Sequence, residues 1–559
     1  MAAELFMSDI HGEYESFAHV LRSGCGAVER AIKETFPEFS EKDKTTLLMF
    51  VCYPRTMTER HLRNGYALDK AEMALHAMLG MLMSRAKEET SAAAFRHALG
   101  QEKLPETTRH DELADIDQET RIALLAHAIR NMSVEKVHLV GDIYDRGPAP
   151  DLIMDELARV VDYDIQWGNH DIVWMGAALG QPGCIAHVMR ICSRYSNLPI
   201  LTERYHMDLG PVEEFACRVY ADDPCAAFGL KGNAVVTPEQ KQVNVKIQKA
   251  MTMIQFKVEG QLIDENPGFG LADRKLLHHI DYERGTVVID GVEHELLDKV
   301  FPTVDPANPY KLTDEEAEIL AYLQKTFREC AQLQRHIKLF LDHGGLYAIS
   351  GNALMFHACV PLNPDGSLME VELFGKTLKG KALFDAIDQH VRDAFEASDA
   401  AQAKLGQDLL WYLWLGAGSP LFGKDKMATF ERYLVESKEA QAEHKNAFYK
   451  LQDDEAAHDA IFRDFGMNPA QSYLACGHVP VKIKDGENPV RCNGRHFNID
   501  GGFSEAYQPT TGIAGLTLVS DEDGLSLVEH QPFHRAHAIE ENRDIVSSAR
   551  KVAEYLERP

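Results

Sequence analysis

Three short segments of this chain gather residues that could do chemistry: Gly141-Asp142-Ile143-Tyr144-Asp145-Arg146-Gly147, Gly168-Asn169-His170-Asp171 and Ser8-Asp9-Ile10-His11-Gly12. Carboxylates, an amide and imidazoles are the donors that divalent cations use, and no thiol stands among them. Such a set suits Mn²⁺, Fe²⁺ or Zn²⁺ at a reactive centre more than structural zinc. Asp9 and His11 are two residues apart, which puts both on one side of an extended segment. Taken singly, a Gly-Asp after an apolar run is an ordinary turn, and Asn-His is an ordinary solvent-facing loop. The conjunction of three such segments is what points to a metal.

The elements around these segments explain how they could meet. Residues 137–140 are an apolar run short enough for a buried strand, and Asp142 and Asp145 follow it. Ile153, Leu157 and Val160 recur at helical spacing, so residues 151–161 read as an amphipathic crossover helix. A second strand over 163–167 leads into Asn169 and His170. A strand–helix–strand unit places both loops on one edge of a parallel sheet, where open α/β sheets bind ligands. Residues 5–7 form another short apolar strand ahead of Asp9. The expected class is α/β.

Composition narrows the partners. The chain has 559 residues, 45% hydrophobic and 26% charged, as in an ordinary globular protein with a large core. Asp+Glu 86 against Lys+Arg 58 gives a net charge of −28, which argues against nucleic acid or an anionic membrane as the main partner. It does not exclude a small anionic substrate, because bound cations reverse the local field. The ten cysteines include no C-x-x-C pair and read as reduced thiols. The opening MAAELFMSD has no basic start and no long apolar stretch, so neither a signal peptide nor a membrane span is expected, and the expected location is cytoplasmic.

The remaining chain reads as a core interrupted by helical insertions. Residues 27–130 have helical periodicity almost throughout, and 71–83 are apolar enough for a buried helix. A hairpin is expected over 285–296, turning at Asp290-Gly291. His187, His206, His278 and His279 show no ligand-like spacing. A second hairpin turns at Ser350-Gly351-Asn352 and ends on Phe356-His357-Ala358. Helical sequence fills 380–465, a strand over 472–476 leads to Gly477-His478, and a hairpin of 515–519 with 525–530 is expected to cover the sheet. The polar tail reads as helical. The expected division is a discontinuous core of 1–24, 134–173, 345–365 and 470–535. Insertions of 25–133, 174–344 and 366–469 and a tail of 536–559 complete it.

DIHG, GDIYDRG and GNHD, in this order, resemble the motifs of the calcineurin-like metallophosphoesterases. The resemblance implies a sheet sandwich of βαβ units carrying two divalent cations. One takes Asp9, His11 and Asp142; the other shares Asp142 and adds Asn169, His357 and His478. His357 is the best match to the family's histidine after an apolar strand. Pro480 replaces a further family histidine, so one ligand is expected from that loop. Two such cations about 3.5–4 Å apart can hold a bridging hydroxide that attacks phosphorus. Neighbouring side chains diverge, so His170 beside Asn169 is left to give a proton to the leaving alkoxide. Asp145 is the candidate for orienting it, and Arg146 offers a planar fork for phosphate oxygens. The plainer account of Asp145 and Arg146 is a buried ion pair at a turn.

A closer resemblance runs through SDIHGEYESFAHVLRSGCG, GDIYDRGPAPDLIMDEL, WGNHDIVWMGAALG, ICSRYSNL, CGHVPVK and NIDGGFSEAYQPTTGIAGLTL, which look like the class III fructose-1,6-bisphosphatases of bacteria. It implies hydrolysis of fructose 1,6-bisphosphate to fructose 6-phosphate, a gluconeogenic step supported by Mn²⁺. Members of that family usually carry more sequence before the first motif, so an element flanking the sheet is expected to be missing. Arg190, Arg194 and Tyr195, or the basic loops near Lys376 and Lys424, are candidates for a second phosphate, and the sequence does not choose among them. Two other readings stand beside this one: a serine/threonine protein phosphatase, and a scaffold of the same fold without metal. The expected partner is a small phosphorylated sugar; a homo-oligomer is left open.

Overall fold

The computed structural model of the chain describes residues 3–65, 67–85, 116–160, 162–231, 236–544 and 547–556. It is mixed α/β, with two main sheets and many helices. Strands β1 (Ala3–Met7), β2 (Val134–Leu139) and β3 (Tyr163–Gln166) run parallel, and Gly344–Gly345 continues that direction beside β3. Beyond β1 the sheet turns antiparallel through Leu516–Asp521, Gly524–His530 and Ser547–Lys551, which makes seven strands. Alternation along β2 sets its faces. Val137 and Leu139 are fully buried in one cluster with Ile153, Met154 and Leu157 of the crossover helix. His138 points the other way and stacks on Phe6 at 4.5 Å.

That crossover helix is Pro150–Leu157, with proline at its first turn. It stops short of the 151–161 expected from periodicity. Arg159 and Val160 bond back three residues, to Glu156 and Leu157, and this tightens the end into turns. Position 161 lies outside the described residues.

The second sheet has five strands in the order Val490–Arg491, His496–Asn498, Tyr473–Cys476, Ala353–Phe356, Tyr347–Ser350, and the middle three are parallel. Phe6, Val140, Leu518 and Leu527 share one apolar cluster with Ala353, Met355, Ala475 and Phe497, so the two sheets face each other. Their parallel strands deliver loops to one edge.

Helices Ala27–Thr35, Glu41–Cys52, Pro54–Arg63, Asp69–Arg85 and Gln118–Ser133 gather around a separate cluster, which also takes Phe533, Ala538 and Ile539. Residues 86–115 of that helical expectation lie outside the described residues. The 28-residue helix Pro238–Glu265 packs along Pro182–Arg194, and Ala400–Leu415 packs on Asn169–Ala178. The hairpin Thr286–Ile289 with Val292–Glu295 turns at Asp290 and Gly291, both at positive φ, as the sequence predicts. Among the described residues no single helix is long and apolar enough to cross a membrane.

Three expectations are corrected. The last hairpin does not cover the sheet but extends it, because Leu516–Asp521 pairs with β1 edge to edge. Among its described residues the tail is helical only over Arg535–Glu541 and Val552–Leu556; between them Ser547–Lys551 is an exposed edge strand, defined by its ladder with Gly524–His530 and not by any apolar alternation. A short hairpin, Val371–Leu373 with Lys376–Leu378, precedes the third helical segment, too brief to show a period.

Candidate metal centre

Two donor clusters share one carboxylate. Asp9, His11 and Asp142 form the first, Asp142, His357 and His478 the second, and the ligand atoms within each lie within 4.8 Å of one another. His11 Nε2 stands 3.8 Å from both Asp9 Oδ1 and Asp142 Oδ2, and His357 Nε2 is 3.3 Å from Asp142 Oδ2. Asn169 Oδ1 completes the second group, 3.2 Å from His357 Nε2 and 3.0 Å from His478 Nδ1. Asp9, His11, Asp142, Asn169 and His357 are all buried, and His478 is half-buried.

Each of these donors lies in the segment that follows the end of a strand. Asp9, His11, Asp142, Asp145, Arg146 and His478 all have positive φ, a conformation costing roughly 1 kcal/mol or more per non-glycine residue. Cross-loop hydrogen bonds hold it: Asp9 N to Gly141 O at 3.0 Å, His11 N to Asp142 O at 2.9 Å, and Gly12 N to Ile143 O at 2.8 Å. They carry the β1–β2 pairing on past the strands. Gly168 is required for a different reason, since a Cβ there would run into the Asp142 carboxylate.

Asp171, which the sequence reading left without a role, ties these loops together. One carboxylate oxygen accepts the N–H groups of Asp142 and Gly168, the other those of Ile143 and Tyr144. An acidic residue at the third position of a helix that starts after Gly168 is the signal that could have revealed it. Burial and the neighbouring Asp142 push its pKa up to about 7, against the pull of the Tyr144 and Gly168 N–H groups.

The donors are oriented for a cation. His11 Nδ1 donates to the Tyr144 carbonyl at 3.0 Å and His357 Nδ1 to that of Val140 at 2.8 Å, which leaves Nε2 of each facing the carboxylates. Burial and then Arg146 hold His11 well below its ordinary pKa. Burial works against a charge on His357, yet Asp142 and Asp9 push it up to about 10. Two buried carboxylates call that strongly for positive charge, and the donor set fits divalent cations.

Beside the clusters, His170 Nδ1 lies 2.6 Å from Asp145 Oδ2, and the other Asp145 oxygen accepts the Trp174 indole N–H at 3.1 Å. Arg146 is not paired with Asp145. Its guanidinium reaches His11 Nε2 at 2.6 Å and His170 Nε2 at 3.1 Å, and it lies over the Tyr507 ring at 4.6 Å. The simple turn ion pair is therefore not what the structure holds.

The candidates for a second phosphate differ in their surroundings. Arg190 is buried among Gln255 and His187, and Arg194 donates to the Tyr433 hydroxyl. Tyr195 is half-buried. Lys424 is paired with Glu443 at 2.9 Å, and Lys376 is exposed.

A family model described as Firmicute fructose-1,6-bisphosphatase matches residues 1–104 and 106–559. The chain belongs to this family. A protein named fructose-1,6-bisphosphatase class 3 from Alkaliphilus metalliredigens (strain QYMF) is 41% identical, the match covering 99% of this chain and 87% of that one. Proteins of the same name from Bacteroides thetaiotaomicron, 41% identical over 98% of this chain and 86% of theirs, and from Clostridium botulinum (strain Alaska E43 / Type E3), 40% identical over 99% and 88%, are similar to it as well. No solved structure matches the chain.

Proposed function

We propose that the chain hydrolyses fructose 1,6-bisphosphate to fructose 6-phosphate and inorganic phosphate, the gluconeogenic step, with two divalent cations, Mn²⁺ by preference. What carries this reading is Asp142 standing in both donor clusters of a chain that belongs to the Firmicute fructose-1,6-bisphosphatase family. Asp9, His11 and Asp142 hold one cation; Asp142, Asn169, His357 and His478 hold the other. Two facing sheets with the parallel β1–β2–β3 order support a calcineurin-like metallophosphoesterase sandwich, assembled from 1–24, 134–173, 345–365 and 470–535 and walled by the helical segments.

When bound, the cations supply an activated water and neutralise the phosphoryl oxygens. The chain does the rest. Arg146 turns its fork from His11 and His170 to the phosphoryl group, where two parallel N–H bonds fix its orientation. His170, its Nδ1–H held by Asp145, presents Nε2 to the leaving oxygen and hands it a proton. Trp174 fixes Asp145 in turn.

The test compares kcat/KM for fructose 1,6-bisphosphate, fructose 1-phosphate and a phosphopeptide with Mn²⁺ present. The bisphosphate is expected to be cleaved far faster than the monophosphate, because a remote charged group supplies binding energy that positions the reacting end. The peptide is expected to be cleaved hardly at all. Preference for the peptide would replace this reading with a protein phosphatase, and equal rates on the two sugars would leave a general phosphoesterase.

A further inference from the structure

Helix Pro182–Arg194 carries Arg190 and Arg194 one turn apart, with guanidinium carbons 6.0 and 5.1 Å from the centre of the Tyr433 ring. Arg190 is only 5% exposed. Its Nε donates to Gln255 Oε1 at 2.7 Å and its Nη2 to His187 Nδ1 at 3.2 Å. The nearest acid in that network, Glu259, is reached only at one remove, 2.9 Å from His187 Nε2 and 3.2 Å from Gln255 Nε2, and makes no direct contact with Arg190. Arg194 donates to the Tyr433 hydroxyl at 3.1 Å. Among the described residues neither guanidinium forms an ion pair with a carboxylate.

That is unusual on two grounds. Arg190 is a cation taken out of water without a directly bonded anion, which is costly, Arg194 is half-buried beside it, and a chain of net charge −28 has acids in surplus to offer. Lys424, the rival among the basic residues, has Glu443. The two arginines are left with charge to spend on something outside the chain.

A second, independent observation lies beside them. The indole N–H of Trp414 is buried and has no acceptor in the chain, although the residue is only 5% exposed. Its ring stands edge-on to His170 at 4.8 Å and lies 5.4 Å from His187. The unpaired donor therefore belongs to a side chain wedged between the proton-transfer histidine and the arginine network. The chain itself joins the two regions: three residues beyond Arg194, Asn197 donates to the backbone carbonyl of Arg146.

We propose that Arg190, Arg194 and the Trp414 indole form the subsite that holds the uncleaved phosphate and an adjoining hydroxyl of the sugar, a subsite that presupposes the bisphosphate substrate argued above. The planar forks match phosphate oxygens two at a time, and the indole is a donor only, suited to a hydroxyl or phosphate oxygen. The reacting phosphate is then gripped by Arg146 and the remote one by the pair on the Pro182–Arg194 helix.

The experiment uses the Mn²⁺-loaded enzyme and two readouts: the ratio of kcat/KM for fructose 1,6-bisphosphate over fructose 1-phosphate, and calorimetric binding of fructose 6-phosphate, which carries only the remote phosphate. Arg194→Met is expected to lower the ratio by about 30-fold and to weaken fructose 6-phosphate by a similar factor, the worth of a charge-assisted hydrogen bond in a dry site. Trp414→Phe, which keeps the ring and removes the donor, is expected to lower both by about fivefold, the worth of a neutral hydrogen bond. Arg194→Lys, with charge but no fork, should recover part of the loss. Should Arg194→Met fold poorly, Trp414→Phe still decides. Equal losses on the two sugars with unchanged fructose 6-phosphate binding would overturn the subsite, as would a loss found in Lys424→Met instead. If the parent enzyme shows no preference for the bisphosphate, the substrate reading fails, and fructose 6-phosphate binding alone still reports whether these arginines hold a phosphate.

Discussion

Replacing Asp171 by asparagine exchanges one oxygen for an amide nitrogen and is expected to loosen the whole centre. The carboxylate is 0% exposed. Its Oδ2 accepts from Asp142 N at 2.8 Å and Gly168 N at 3.0 Å, its Oδ1 from Ile143 N at 2.9 Å and Tyr144 N at 3.1 Å. An amide keeps one acceptor oxygen, so two of these bonds are lost and two buried N–H groups come to face an NH₂. A hydrogen bond to a charged group contributes about 1.5–3 kcal/mol. Allowing for partial relaxation of the loops, the loss is about 3 kcal/mol, a large share of a typical stability of about 5–15 kcal/mol. The effect reaches both donor clusters, because Asp142 stands in each, and disturbing such an outer partner typically weakens metal binding by about 10–100-fold. Urea unfolding of chelator-treated protein reads the first effect, and competition with a chromogenic chelator reads the Mn²⁺ affinity. An Asp171→Asn protein with the parent's urea midpoint and Mn²⁺ affinity would refute the brace. The loop would then be held by its bonds to Asp9, His11 and Gly12 alone.

His170→Ala is expected to lower turnover of the sugar bisphosphate by roughly 10²–10⁴-fold with the cations still bound. p-Nitrophenyl phosphate, whose leaving group needs no proton, should suffer much less, and equal losses on both would remove the proton-transfer role. His138→Gln tests a clamp across the sheet: His138 Nδ1 is 2.9 Å from both Asp164 oxygens, and its Nε2 is 3.7 Å from Glu4. Burial opposes the charge on His138, but Asp164 and Glu4 outweigh it and raise the pKa, while Glu4 and Asp164 are themselves lowered by His138. The histidine's contribution is complete below its unfolded pKa near 6.5 and is lost as pH rises through the folded value. The acids' contribution is complete above their unfolded values near 4 and is lost as pH falls through the lowered ones. The parent's advantage in urea midpoint should therefore be largest between about pH 4.5 and 6.5. A gap that does not narrow by pH 9 would show that His138 acts by packing on Phe6 and not by charge.

What could be read in the sequence, and what could not, divides along a physical line. Asp9 and Asp142 were legible because each follows a short apolar run, and Asn169 because it follows the second strand of the strand–helix–strand unit; a polar residue at the end of a buried strand has few places to go. His357 needed a family pattern, because Ala353–Phe356 is too short to show an alternation of its own. Ser547–Lys551 was invisible as a strand, since an exposed edge is specified by ladder hydrogen bonds and not by buried side chains. Arg190 is a candidate for a second phosphate in the sequence, yet taken singly it reads as ordinary exposed charge. What buries it is Gln255, on a helix far along the chain, and no local pattern contains that contact. Trp414 sits in the apolar run WYLWL, which reads as core, and nothing in a string of letters shows that its N–H lacks an acceptor.

The centre combines two features that each oppose folding: carboxylates buried close together, and six non-glycine residues in left-handed conformations. They are relieved by different means. The backbone strain is met inside the chain, because the Asp9–Gly141, His11–Asp142 and Gly12–Ile143 bonds prolong the sheet into the loops and Asp171 fastens them from behind. The electrostatic strain is met only in part. His357 is pushed up to about 10 as a counter-charge, and Arg146 spends its donors on His11 and His170 and reaches neither carboxylate. On the proposed reading, a cation held by Asp9, His11 and Asp142 would supply the missing positive charge. On that reading too, His11 Nε2 given to a cation would no longer accept from Arg146, whose fork would then be available to the phosphoryl group. Rigid loops and unbalanced charge are thus separate properties of one site, the first built by hydrogen bonds to the main chain, the second left for the cations to balance.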